Sequence, residues 1–200
     1  MRNGVILRSW CPPPAPMRKA CTTKPNSAMP SELPAALQLG SLQLRQSLAS
    51  DADFSRALYR DVRSDELALT GWPPEAIDAF CHSQFDFQRQ HYRSYYPQAL
   101  HYLVERDGQP VGRLIVDDSA DALRVVDISL LAAQRSQGLG SVLLRWLCNH
   151  ADAQQRPMAL SVEPQNRARH LYGRLGFVQL PSDGLYWTMC REPAKTEPAE

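Results

Sequence analysis

The segment Arg135-Ser136-Gln137-Gly138-Leu139-Gly140, directly after the apolar run from Leu123 to Leu131, constrains this chain more than any other feature. A strand that feeds a glycine-bearing turn at a helix start leaves the first-turn N–H groups without intrahelical partners, and glycine at 138 and 140 lets the backbone approach an anion closely. The element belongs to α/β architecture and suits a phosphate-bearing ligand. By itself it is a weak signal, because a Gly-x-Gly turn also solves a tight strand-to-helix connection. The dinucleotide fingerprint is incomplete: position 143 is Leu where a third glycine is required, and the next strand, Met158 to Val162, runs into Glu163-Pro164-Gln165 with no second unit of the same kind. No Gly-Lys-Ser/Thr follows the turn, which excludes the P-loop.

Hydrophobic periodicity places the flanking elements. Leu42-Gln43-Leu44-Arg45 alternates as a first strand, and Ser50 or Asp51 can cap a helix through about Asp61. A second helix is predicted from Pro74 or Glu75 to about Arg93, with Ile77, Phe80, Phe85 and Phe87 as its apolar positions. It ends in Tyr92, Tyr95 and Tyr96, which read either as a packing stripe or as one wall of an acceptor pocket. Leu100 to Glu105 and Val111 to Asp117 form a hairpin around Asp107-Gly108, and the connection 118–121 leads into the central strand. Behind the glycine turn, Leu139, Val142, Leu143, Trp146 and Leu147 give a helix one apolar face. Asn166 can cap a short helix from Arg167 to Leu175, and a terminal hairpin follows around Asp183-Gly184. Antiparallel strands come first and the clear crossover spans 123–162. The expected fold is α/β: a mixed, mostly antiparallel central sheet with helices on both faces.

The 200 residues suit one domain of roughly 150 residues with tails. Residues 1–40 carry seven prolines among Ser, Thr, Ala and Lys and read as a disordered leader, 41–190 as the domain, and 191–200 as a disordered tail. A net charge of +1 with mixed signs gives no footprint for nucleic acid. No sustained apolar stretch follows Trp10-Cys11, so neither a secretory nor a membrane-spanning segment is expected. Five widely spaced cysteines without a C-x-x-C pair point to reduced thiols in the cytoplasm, and the histidines lack metal-ligand spacing.

A second element decides between the readings of the turn: Asn166-Arg167-Ala168-Arg169-His170-Leu171-Tyr172-Gly173-Arg174-Leu175-Gly176-Phe177. Together with the strand and the turn, in that order, it resembles the acetyl-CoA-dependent GNAT acyltransferase superfamily across residues 42–190. The family's R/Q-x-x-G-x-G/A loop maps onto Arg135, Gly138 and Gly140, and its later N-x-x-A/R-x-L-Y-x-x-x-G-F element onto Asn166, Arg169, Leu171, Tyr172, Gly176 and Phe177. Ser136 stands where many relatives have glycine, and Ala132 where many have proline.

The resemblance implies an N-acetyltransferase with acetyl-CoA as its cofactor, acting on a small-molecule or peptide amine by direct attack. It implies pyrophosphate binding along Arg135, Ser136, Gln137, Gly138, Leu139 and Gly140, with Asn166 and Arg169 near the cofactor. A main-chain N–H at Leu130 or Leu131 can steady the developing oxyanion. Tyr172 takes the family's place for the acid that protonates the departing thiolate; the bland reading is a packed aromatic. Asp127 interrupts the apolar run Val125-Val126-Asp127-Ile128 and is a candidate base, with Glu163 as its rival and water as a third route. Either carboxylate can instead serve structure, and Asn166 can cap a helix. The Asp65-Glu66 pair beside Trp72 can receive a cationic amine. A homodimer is a family-based expectation. Two other readings remain: a noncatalytic acyl-CoA sensor on the same fold, and a scaffold recruiting partners through its leader.

Overall fold

The computed structural model describes residues 33–118, 122–181 and 186–194. In it the chain runs through β1 (Ala36–Leu39), β2 (Leu42–Gln46), α1 (Ala52–Leu67), α2 (Pro74–Tyr95), β3 (Leu100–Arg106), β4 (Gln109–Asp117), β5 (Leu123–Leu130), α3 (Leu139–Ala153), β6 (Met158–Val162), α4 (Ala168–Arg174), β7 (Val178–Gln179) and β8 (Trp187–Arg191). The described strands form one sheet in the order β1-β2-β3-β4-β5-β6-β8-β7. Every neighbouring pair is antiparallel except β5 with β6. That single parallel pair needs a crossover, and α3 supplies it.

The crossover helix covers one face. Leu143, Leu144 and Leu147, each 0% exposed, pack with Leu114, Ile128 and Leu130 of the sheet and with Tyr172. Burial of each such leucine contributes roughly 1.5–3 kcal/mol. On the opposite face Tyr92 and Tyr96 cover Ile115 and Val126, while Tyr59 and Leu67 of α1 meet Cys81 and Phe85 of α2. The helices therefore lie on both faces of a mixed, mostly antiparallel sheet, as the periodicity indicated.

Two features depart from the sequence reading. The segment read as leader contributes β1: Leu37 and Leu39 pair with Leu44 and Leu42, and Leu33 is buried. The prolines upstream masked this short alternation; residues 1–32 lie outside the described residues. The tail reading also begins too early, because Arg191 ends β8 and donates to both carboxylate oxygens of Asp152 on α3 at 2.7 Å. Those hydrogen bonds hold the Asp152 carboxyl below the usual range. Cys81 and Cys148 are free and buried. The Asp183-Gly184 turn and positions 119–121 lie outside the described residues.

Candidate functional site

The parallel pairing of β5 with β6 lasts only from Leu123↔Met158 to Val125↔Leu160, although β5 continues to Leu130 and β6 to Val162. Beside the point of separation the β4–β5 register slips: Ile115 faces Asp127 but Val116 faces Val125. Val126 is the extra residue, and such a bulge bends its strand and increases local twist. Beyond it β5 stays with β4 and leaves β6, so a notch opens at the carboxyl ends of the two parallel strands, where α/β sheets bind ligands.

Ladder alternation fixes what the notch offers. Leu131 N–H donates to Val111 O at 2.9 Å. In an antiparallel ladder bonded and non-bonded pairs alternate, so Leu130, opposite Gly112, turns its backbone groups toward the notch. Of the two N–H groups considered from sequence, that of Leu131 is thus consumed within the sheet. A Cβ at Gly112 would collide with Leu130 and with the Ser129 carbonyl, so this close strand approach requires glycine.

The turn that follows uses left-handed backbone at two positions. Ser136 adopts φ 61° and Gly138 φ 82°; a non-glycine residue in this region costs roughly 1–2 kcal/mol. Ser141 and Val142 donate to Gly138 O, whereas no hydrogen bond among the described residues engages the N–H of Leu139 or Gly140 at the start of α3. Arg135 turns inward. Its side chain, 7% exposed, donates to Leu130 O at 2.9 Å and to Asp61 of α1 at 3.2 Å, and Ala132 N–H donates to the same carboxylate at 2.7 Å. Gln137 accepts from Arg106 and donates to Ala133 O, both at 2.7 Å. The turn is therefore pinned through its side chains, leaving the main chain of 138–140 for an anion.

On the α3 side of the notch lies Tyr172, 4% exposed, its ring edge-on to Phe177 at 5.9 Å. Burial, and secondarily the charge of Asp127, push its phenol well above the ordinary value. Asn166 accepts from Ala168 N–H at 2.9 Å and so caps α4. Arg169 donates to Pro164 O at 3.0 Å and lies over the Trp187 ring.

The other side of the sheet holds a cavity of about 510 Å³ between α1, α2 and the strand ends. Tyr59, Val62 and Arg63 come from α1, and Gln84, Phe87, Gln88 and His91 from α2. Its floor carries Arg113, Asp127 and Ser129, with Glu163 and Tyr186 at the β6 and β8 end. Asp127, 1% exposed, accepts from Arg113 Nε and from the Ser129 hydroxyl, and Arg113 Nη2 donates to Gln88 on α2. Glu163 is half-buried, and no described residue hydrogen-bonds its carboxylate.

The family model described as the acetyltransferase (GNAT) domain matches residues 97–179, a span that runs from β3 to β7 and includes the notch, the turn and Tyr172. The chain has a GNAT acetyltransferase domain. Solved structures agree at the level of the GNAT fold. The PaiA N-acetyltransferase of Thermoplasma acidophilum, solved with coenzyme A, superposes with a TM-score of 0.57 at 16% identity, over 76% of this chain and 99% of that one. The ribosomal-protein-S18-alanine N-acetyltransferase of Escherichia coli gives 0.54 at 16% identity, over 80% and 99%. An acetyltransferase of Thermus thermophilus gives 0.54 at 18% identity, over 78% and 99%.

Within this GNAT domain the notch and cavity bring Tyr172, Leu130, Asp127 and Glu163 to one region. The acidic pair expected to receive an amine is elsewhere: Asp65 is exposed, Glu66 forms an ion pair with Arg63 at 2.5 Å, and neither lines the cavity. The tyrosines at the end of α2 do not form its wall either, since Tyr92 and Tyr96 are core residues and Tyr95 is 47% exposed. The wall is made instead by Gln84, Phe87, Gln88 and His91, one helical face further round. Arg113 and Gln88 had not been singled out. The available signal was an unpaired arginine inside an otherwise apolar strand, which demands a buried acid. Among the described residues no group of His, Cys, Asp or Glu is arranged to hold a metal ion, and no helix is long and apolar enough to cross a membrane.

Proposed function

We propose that this domain transfers the acetyl group of acetyl-CoA to a primary amine, in a ternary complex and without a covalent enzyme intermediate. The observation that carries this reading is the notch between β5 and β6, with Tyr172 on its α3 side and the Glu163-bearing cavity on the other. The residues present suit such a donor: main-chain N–H groups at Leu139 and Gly140 for phosphate oxygens, and Leu130 facing the notch. Acetyl-CoA supplies an activated thioester when bound. Leu130 N–H then donates to the carbonyl oxygen as it gains negative charge, and Tyr172 gives its proton to the leaving sulfur. Holding both reactants at one notch replaces a bimolecular encounter by an oriented one.

Glu163 takes the amine proton, directly or through water. Asp127 was the favoured base on sequence grounds, but its oxygens accept from Arg113 and Ser129, which gives it the role of holding the cavity floor. The amine occupies the cavity between Phe87, His91 and Glu163.

Thiol release from acetyl-CoA, followed with a panel of primary amines, tests this assignment. Glu163→Gln should lower kcat/KM for the accepted amine by roughly 10²–10⁴-fold near neutrality, with acetyl-CoA affinity unchanged. The deficit should shrink as pH approaches the amine's own pKa, because the nucleophile then arrives deprotonated. A Glu163→Gln enzyme of wild-type activity at every pH contradicts the assignment.

A further inference from the structure

A second cavity, of about 390 Å³, lies on the far side of Arg113 from the acceptor cavity. Gln88 and Arg113 border both, so this hydrogen-bonded pair is a partition between two spaces. The second cavity is enclosed by the start of α1, by α2, and by His101 and Tyr102 of β3. Its charge is one-sided. Arg89, Arg93 and Arg113 line it together with His101, and no Asp or Glu does. Arg113 is matched by Asp127, whereas Arg89 and Arg93, four residues apart on one face of α2, form no ion pair among the described residues. Ser47 and Ser55 add hydroxyl groups to the same wall.

The imidazole in this cavity lies within the field of the same arginines. His101 titrates below the ordinary histidine value, first through burial and then through Arg113, with Arg93 and Arg89 acting in the same direction and Asp127 opposing them. A concave site with two unmatched guanidinium groups, a third at its floor and hydroxyl donors suits an oxyanion, which arginine binds through paired N–H groups.

We propose that the cavity behind Arg113 is a second binding site, for a small anion bearing a carboxylate or phosphate group. It is separate from the acceptor cavity and from the glycine turn, and it holds whether or not the domain transfers acetyl groups. An anion seated there meets the same guanidinium that positions Asp127, which places the two cavities in contact through one side chain.

Histidine-resolved NMR on the full-length protein, without acetyl-CoA, tests the site with inorganic phosphate and with malonate at constant ionic strength. A saturable movement of the His101 resonances is expected with one probe or both, and the probe that acts identifies the head group. The His101 titration should move upward, because a bound anion favours the imidazolium. Arg89→Ala/Arg93→Ala, at two exposed positions, should weaken binding at least tenfold while leaving acetyl-CoA affinity unchanged. Phosphate that moves the amides of Leu139 and Gly140 but not His101 is held at the turn and overturns the proposal. So does unchanged binding in the double variant, or no response of His101 to either probe.

Discussion

Tyr172→Phe is expected to lower kcat for acetyl transfer by roughly 10²–10⁴-fold, the range associated with loss of one general acid, while leaving acetyl-CoA affinity nearly unchanged. The substitution removes one oxygen from a ring that is 4% exposed and keeps the edge-on contact with Phe177, so the fold is not at stake. The phenol is raised above its ordinary value by burial and by Asp127, and it therefore keeps its proton throughout the neutral and mildly alkaline range. The loss should accordingly appear at every pH in that range, with no alkaline limb belonging to Tyr172 in the wild-type profile. A raised value weakens the phenol as an acid toward a thiol in water. The departing thiolate, however, forms in the same desolvated notch, where burial raises its proton affinity too. Stopped-flow kinetics together with acetyl-CoA titrations separate the two quantities; a variant that loses affinity in proportion to turnover contradicts the acid role.

Arg113→Met should be the most destabilising single substitution in the site, costing about 3–5 kcal/mol. The guanidinium and the Asp127 carboxylate are 12% and 2% exposed, and removing the cation leaves a buried carboxylate under the sheet without its charge partner, the Ser129 hydroxyl still donating to it. Against a typical domain stability of about 5–15 kcal/mol, that loss should lower the urea midpoint markedly. The double variant Arg113→Met/Asp127→Leu removes both charges and should recover much of it, because the penalty comes from the orphaned charge rather than from the missing attraction. Urea unfolding of the three proteins measures this. A single variant within about 1 kcal/mol of wild type would show that Asp127 is solvated or protonated and not dependent on Arg113.

The second half of the chain was legible because its signals are local. Glycine at 138, a strand before it and an amphipathic helix after it have few alternative arrangements, and Gly138 adopts the left-handed backbone that makes it a turn residue. Asn166 announced the cap it makes to Ala168. The acceptor side was harder to read because its information is tertiary. On α2 the spacing of Phe85 and Phe87 suggested one apolar face, yet the buried face is Cys81, Phe85, Gln88 and Tyr92, and Phe87 is 64% exposed at the cavity. Gln88 hid that face: an amide is buried only when something across the sheet bonds it, and Arg113 lies 25 residues away in sequence. Asp127 was visible as an anomaly in an apolar strand, but its partner depends on the β4–β5 register, which a bulge at Val126 shifts. The strand at Ala36–Leu39 escaped notice because four residues beside prolines carry too little pattern.

Occupation of the notch by the thioester arm is tested most directly by calorimetric titration of the full-length protein with acetyl-CoA, alongside adenosine diphosphate. Saturable one-to-one binding of acetyl-CoA, much tighter than that of adenosine diphosphate, is the predicted result, since the proposed mode sets Leu130 and the β5–β6 notch against the arm that the nucleotide lacks. Equal affinity for the two ligands, or no binding of acetyl-CoA by the folded protein, would contradict the assignment of the notch and with it the proposed acetyl transfer.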